Sequence, residues 1–182
     1  MRVTSTVLPG VLILEPQVYS DARGCFFESF NQRAFEAAIG QSAIFVQDNH
    51  SCSQRGVLRG LHYQLAPHAQ GKLVRVVRGS AFDVVVDIRK GSPTWGRWFG
   101  ATLEAASQRQ LWIPPGFAHG FLALEDDTHF LYKTSDYYSR DCERAIAWDD
   151  PAIGIEWPHL GSAPLLAAKD AAAPKLASAD LP

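Results

Sequence analysis

The sequence predicts an all-β protein, an antiparallel sandwich or barrel with only a few short helices. Three observations carry that reading. Short runs rich in β-branched and aromatic residues recur along the 182 residues. Turn-forming clusters separate them, among them Asp21-Ala-Arg-Gly24, Arg78-Gly-Ser80, Gly91-Ser-Pro93 and Pro114-Pro-Gly116. Only one segment has a clear helical period.

Taken in order, the runs Val11–Leu14 and Cys25–Phe30 flank the first turn cluster. A helix follows. Asn31 is a good N-cap and Gly40 a good stop, and Ala34, Phe35, Ala38 and Ile39 repeat at helical spacing between them. Its apolar face is expected to pack over the outside of the barrel. Strands are then predicted at Ile44–Gln47, Val57–Tyr63, Lys72–Val77 and Ala81–Ile88, and further on at Phe99–Leu103, Gln110–Ile113, Gly120–Leu124 and Phe130–Thr134. Trp95, Trp98 and Trp112 read as packing residues and Arg75 and Arg78 as surface; of Asp83 and Asp87, one can face the pocket, and a plain surface carboxylate is the other reading for Asp87. After Trp157-Pro158 the chain turns Ala- and Pro-rich, and Asp170–Lys175 suits a short helix or a loose tail. With no internal repeat and no linker, residues 1–182 read as one domain, with 160–182 an irregular tail packed on the barrel.

Composition narrows the function. Lys plus Arg is 17 and Asp plus Glu is 19, a net charge of -2, which argues against nucleic-acid binding. No apolar stretch approaches the roughly 20 residues that cross a bilayer, and residues 1–10 lack the apolar run of a signal peptide. Cys25, Cys52 and Cys142 are odd in number and widely spaced, so reduced thiols and a cytoplasmic location are expected.

Chemistry concentrates in Arg55-Gly-Val-Leu-Arg-Gly-Leu-His-Tyr-Gln64. A strand carrying His62 this way can aim a base into a pocket, and a neighbouring arginine can hold an anion there. Gln70-Gly-Lys72, Pro114-Pro-Gly-Phe-Ala-His119 and Leu131-Tyr-Lys133 add a cation, a second histidine and a phenol. The Pro114-x-Gly116-x-x-His119 spacing has the form of the second motif of the cupin superfamily. A metal-binding cupin would also carry His-x-His followed by Glu. Here that place reads His62-Tyr63-Gln64, so a bound metal is not expected.

A more specific resemblance rests on motifs in fixed order: Asp21-x-Arg-Gly24, Gln47-Asp-Asn49, Arg55–Gln64, Gln70-Gly-Lys72, Leu131-Tyr-Lys133, Asp136-Tyr-Tyr138 and Trp148-Asp-Asp-Pro151. Across almost its whole length the chain resembles the dTDP-4-dehydrorhamnose 3,5-epimerase family. The resemblance implies a jelly-roll cupin barrel, the double-stranded β-helix. It also implies a homodimer with exchanged N-terminal strands, a 4-keto-6-deoxyhexose on thymidine diphosphate as substrate, and a product that feeds dTDP-L-rhamnose.

The residues fit that chemistry. Inverting a carbon beside a ketone removes a proton from one face and returns one to the other, so two acid/base groups should flank the ring. An imidazole, with an ordinary pKa of about 6.5, suits the base, His62; a phenol, ordinarily about 10, suits the acid, Tyr132. Lys72 can stabilise the enolate oxygen between the two steps. The resemblance implies that a late carboxylate orients the base, and Asp170 fits. It further assigns His119 with Asp83 to a second His–Asp pair that binds substrate. Arg23 and Arg59 are assigned to the diphosphate, Gln47 and Asn49 with the intervening Asp48 to thymidine, and Tyr138 to stacking on the base. Phe26, Glu28, Glu143 and Lys169 match further substrate contacts, with Arg23, Phe26 and Glu28 serving a partner's site.

Other readings compete. A mono-epimerase inverting C3 or C5 alone would share these groups. A non-catalytic sugar-nucleotide-binding cupin would need neither His62 nor Tyr132, and a metal-dependent cupin would need the missing ligands.

Overall fold

A computed structural model describes residues 1–182. Thirteen strands form two large antiparallel sheets and one hairpin. Near the N-terminus lie β1 (Arg2–Ser5), β2 (Leu12–Glu15), β3 (Val18–Asp21) and β4 (Gly24–Phe27), then helix α1 (Gln32–Ile39). The barrel follows with β5 (Gln47–Ser53), β6 (Leu58–Gln64), β7 (Lys72–Arg78), β8 (Ser80–Asp87), β9 (Trp98–Glu104), β10 (Gln110–Ile113), β11 (Phe117–Ala123), β12 (Thr128–Thr134) and β13 (Glu143–Ala145). A four-residue helix, α2 (Ala168–Ala171), comes late in the chain.

One sheet has the order β1-β2-β10-β7-β12-β5, and the other β13-β6-β11-β8-β9. Neighbours in space are mostly distant in sequence, the crossing pattern of a jelly roll. The all-β expectation therefore holds. Strand periodicity places the core. Val74, Val76, Leu111, Ile113 and Phe130 from the first sheet meet Ala81, Val85, Leu103, Phe117 and Phe121 from the second, so the two inner faces pack together. At that interface Phe121 and Phe130 stack with ring centroids 4.1 Å apart.

Alternate residues leave each sheet on its outer face, and each outer face is covered differently. On the first, α1 sets Phe35 against Leu14, Leu73 and Trp112, as its apolar period predicts. Asn31 caps it by accepting from the Ala34 N–H at 3.1 Å, and Gly40 ends it in a left-handed conformation. On the second, the chain after β13 lays Ile146, Ile153 and Leu176 over Leu61, Tyr63, Val84, Val86 and Ala118.

Several expected boundaries move. The run at Ile44–Gln47 is not a strand; β5 begins at Gln47 and continues to Ser53. The Cys25–Phe30 strand ends at Phe27, and the Gly120–Leu124 strand starts earlier, at Phe117. Trp112 is buried as expected, but Trp95 is 45% exposed. Asp87 is fully buried rather than on the surface. The turn just beyond it folds back so that Arg89, Ser92 and Thr94 all donate to its carboxylate.

Candidate active site

Strands β6 and β11 lie side by side with His62 and His119 as cross-strand partners. Their close approach depends on glycine. A Cβ on Gly60 would sit 2.6 Å from the Gly120 Cα, and one on Gly120 would sit 2.6 Å from the Arg59 carbonyl oxygen. Gly60 also has φ +122°, which L side chains rarely adopt. Each histidine finds its own carboxylate. His62 Nε2 is 2.6 Å from Asp170 Oδ1, and His119 Nε2 is 3.0 Å from both oxygens of Asp83. Such a partner fixes ring orientation and tautomer. Burial alone would raise Asp170, but its bonds to His62 and the Gly60 N–H, with Lys169 nearby, hold it below the usual carboxylate range. Fully buried Asp83 is instead raised by desolvation, against the pull of His119 and Lys72.

The facing sheet supplies the other groups. Tyr132 lies on β12, and Lys72 opens β7. Strand alternation puts both on the inner face, in step with Val74, Val76 and Phe130. From there the Lys72 Nζ crosses the gap and donates to the His62 carbonyl oxygen at 3.4 Å. Desolvation lowers its pKa to about 8, although Asp83 and Glu143 favour the charged form. Burial likewise pushes the Tyr132 phenol up.

His62, His119, Lys72, Tyr132 and Asp170 line one cavity of about 480 Å³. Arg59, Tyr138, Glu143 and Lys169 belong to the same wall. Glu143 accepts from the Lys169 Nζ at 2.8 Å and from the Tyr138 hydroxyl at 3.1 Å. Burial opposes its ionisation, yet these donors and the nearby His62 keep its carboxyl below the usual range. A smaller lobe of about 120 Å³ shares His62, Lys72 and Tyr132 and adds Gln47, Asn49 and Gln70.

Four expected site residues lie elsewhere. Arg23 and Phe26 sit on the β3–β4 hairpin and Glu28 just after it, and none of them lines this cavity. Arg23 binds Asp21 at 2.6 Å, Glu28 accepts from Asn31 at 3.1 Å, and Phe26 is 73% exposed. Asp48 points to the outer face of its sheet and pairs with Lys133 at 2.9 Å, because β5 turns alternate residues outward. Sequence reasoning missed Ser51. Its hydroxyl lies on the cavity wall, buried and without a hydrogen-bond partner. The signal was its spacing, two residues beyond Asn49 on the same strand face. No group of three or more His, Cys, Asp or Glu side chains is placed to hold a metal ion.

A jelly-roll barrel whose internal cavity is lined by two histidines from one sheet and a lysine and a tyrosine from the other defines a member of the cupin class. Known proteins narrow the class. The dTDP-4-dehydrorhamnose 3,5-epimerase family profile matches residues 5–178. The chain is 58% identical over 180 residues to the dTDP-4-dehydrorhamnose 3,5-epimerase of Shigella flexneri, covering 99% of this chain and 98% of that one. The crystal structure of the Legionella pneumophila dTDP-6-deoxy-D-glucose-3,5-epimerase in complex with dTDP-4-keto-L-rhamnose superposes with a TM-score of 0.95 at 49% identity, covering 100% and 97% of the two chains. A 3'-monoepimerase from Streptomyces bikiniensis in complex with dTDP-quinovose is more distant, at 38% identity and a TM-score of 0.89 over 95% and 87%. The chain belongs to the dTDP-4-dehydrorhamnose 3,5-epimerase family.

Proposed function

We propose that this isomerase inverts C3 and C5 of dTDP-4-dehydro-6-deoxy-D-glucose, giving dTDP-4-dehydro-L-rhamnose for dTDP-L-rhamnose synthesis. One observation carries the reading: the His62–Asp170 pair and Tyr132 stand on facing sheets of one cavity, with the Lys72 ammonium reaching between them. His62 takes the proton from the carbon beside the C4 ketone, and the C–H electron pair moves into the enolate. Lys72 stabilises the oxyanion, the kind of preorganised charge whose removal raises a barrier by roughly 3–4 kcal/mol. Tyr132 returns a proton to the opposite face, so one C–H bond breaks, another forms, and the centre is inverted. Exchange with solvent then takes the proton from the His62 imidazolium and returns one to the Tyr132 phenolate, and the second centre repeats the cycle. No step needs a metal or an organic cofactor.

Placement supports the binding roles. Arg59, at the cavity wall, suits the diphosphate, where a guanidinium fork matches phosphate oxygens. Gln47 and Asn49 suit thymine edges, and the exposed Tyr138 ring suits stacking on the base. His119 with Asp83, and Lys169 with Glu143, complete the substrate surround. Arg23, Phe26 and Glu28 project from an exposed hairpin outside their own cavity, which supports a homodimer in which exchanged N-terminal strands deliver them to the partner's site. The three cysteines are unpaired thiols, in keeping with a single cytoplasmic domain.

The test is incubation with dTDP-4-dehydro-6-deoxy-D-glucose in D2O, followed by NMR. Deuterium is expected at both C3 and C5. Label at one carbon alone would make the protein a mono-epimerase, and no label would overturn the epimerase assignment.

A further inference from the structure

We infer that Gln64 is a positioning residue for nucleotide recognition, holding the turn that presents Tyr138; the inference rests on the reading of Tyr138 as the base-stacking residue. Gln64 ends β6 two positions after His62, where a metal-binding cupin would place a ligand, and it is 6% exposed. Its amide is committed elsewhere. The Nε2 group donates to the His68 carbonyl at 2.6 Å and the Tyr137 carbonyl at 3.2 Å. The Oε1 atom accepts from the Ser139 N–H at 2.8 Å. Both amide hydrogens are therefore used, and the reverse amide orientation would set an oxygen against two carbonyls. Gln64 thus has no donor left for a ligand, although its side chain borders the smaller lobe.

Its partners bracket Tyr138. Residues 137 and 139 are both tied to Gln64, while the Tyr138 N–H itself donates to Gln47 Oε1 at 3.0 Å. The Tyr138 hydroxyl is fixed by Glu143, which is the cross-strand partner of Gln64. Reinforcement comes from outside: Asp136 accepts from the Tyr137 N–H at 2.7 Å and pairs with His68 at 3.2 Å. An exposed aromatic ring on an irregular turn would otherwise sample many orientations, and ordering it would weaken binding. Gln64 supplies that order in advance, from the same strand that carries the base.

The test is dTDP binding by calorimetry in a double-mutant cycle. Gln64→Met keeps the volume and removes all three hydrogen bonds. It should weaken dTDP binding about tenfold, comparable to losing a base–aromatic stack. In a Tyr138→Ala background the same change should alter binding less than about twofold, because what it positions is gone. An equal loss in both backgrounds, or no loss in the first, overturns the inference while leaving Tyr138's role intact. If Tyr138→Ala alone leaves dTDP binding unchanged, the stacking reading falls, and the inference with it. Should the methionine variant not fold, Gln64→Leu carries the same cycle, removing the same three hydrogen bonds without setting a new polar atom against the two carbonyls.

Discussion

At the scale of single residues, the site sets groups of opposite tendency against one another. Lys72 is held near pH 8 because its charge is desolvated, yet its proposed task requires that charge. The two needs give opposite pH dependences. As pH rises through about 8, Lys72 of the free enzyme loses its proton and kcat/KM should fall. Stability should move the other way. Between about 8 and the ordinary lysine value of about 10.4 the unfolded chain binds a proton that the folded chain does not, so this group's contribution to stability rises with pH. Its burden, roughly 3 kcal/mol, is fully present below pH 8. Urea unfolding from pH 7 to 10 should show this slope in the native protein and not in Lys72→Met. The dyad makes a second prediction. His62→Asn should slow deuterium exchange at both carbons by about 10²–10⁴-fold. Asp170→Asn should slow it less but measurably, since the ring remains while its tautomer is no longer fixed; undiminished exchange in the first variant would reassign the base, and in the second would dismiss Asp170 as its orienting partner.

At the scale of elements, the pairing of β6 with β11 decides whether the histidines share a cavity. Gly60→Ala would drive a Cβ into the Gly120 backbone at a φ unfavourable to alanine. It should destabilise the fold by about 2 kcal/mol or more. Because His62 is two residues away, turnover should also fall about a hundredfold in the fraction that folds, as expected when reacting groups shift by about 1 Å. Denaturant titration alongside kcat measurement would check both. The elements also show what a sequence reveals. Helix α1 was legible to the residue, because cap, stop and apolar period agree and nothing functional competes. Strands β7, β8 and β10 were legible because their inner faces are core. Strand β5 was not: its inner residues Gln47, Asn49 and Ser51 line the cavity, and its outer residues Asp48, His50 and Cys52 are polar or exposed. With no apolar alternation, only its pairing with β12 makes it a strand. Asp48 was misplaced for the same reason, since a polar run gives no sign of which face points inward. Asp87 looked superficial because its partners lie just beyond the strand, in a turn whose closure alternation cannot register.

At the scale of the whole molecule, the segment after β13 both covers the barrel and completes its site. Leu165 N–H ties it to the Gly56 carbonyl just before β6 at 2.8 Å, and two bonds fold it on itself: Ala147 N–H to the Pro174 carbonyl at 2.8 Å and Leu176 N–H to the buried Asp150 carboxylate at 2.7 Å. Asp170 sits between these anchors. The sequence placed residues 160–182 as an irregular tail on the barrel but gave little sign of their order, because Ala and Pro carry no period; in that stretch Leu176 is the residue that joins the buried cluster. Leu176→Ala should remove about 2–5 kcal/mol. For a chain of this length that lowers the melting midpoint by several degrees, which calorimetry would detect; an unchanged midpoint would mean the strap is not a stabilising layer. The link between Asp170 and His62 spans 108 positions of sequence. At about 5–20 residues per second, a ribosome takes roughly 5–20 seconds to cover that distance. The growing polypeptide thus exposes its imidazole long before the matching carboxylate exists. Translation builds the container first and arms it afterwards.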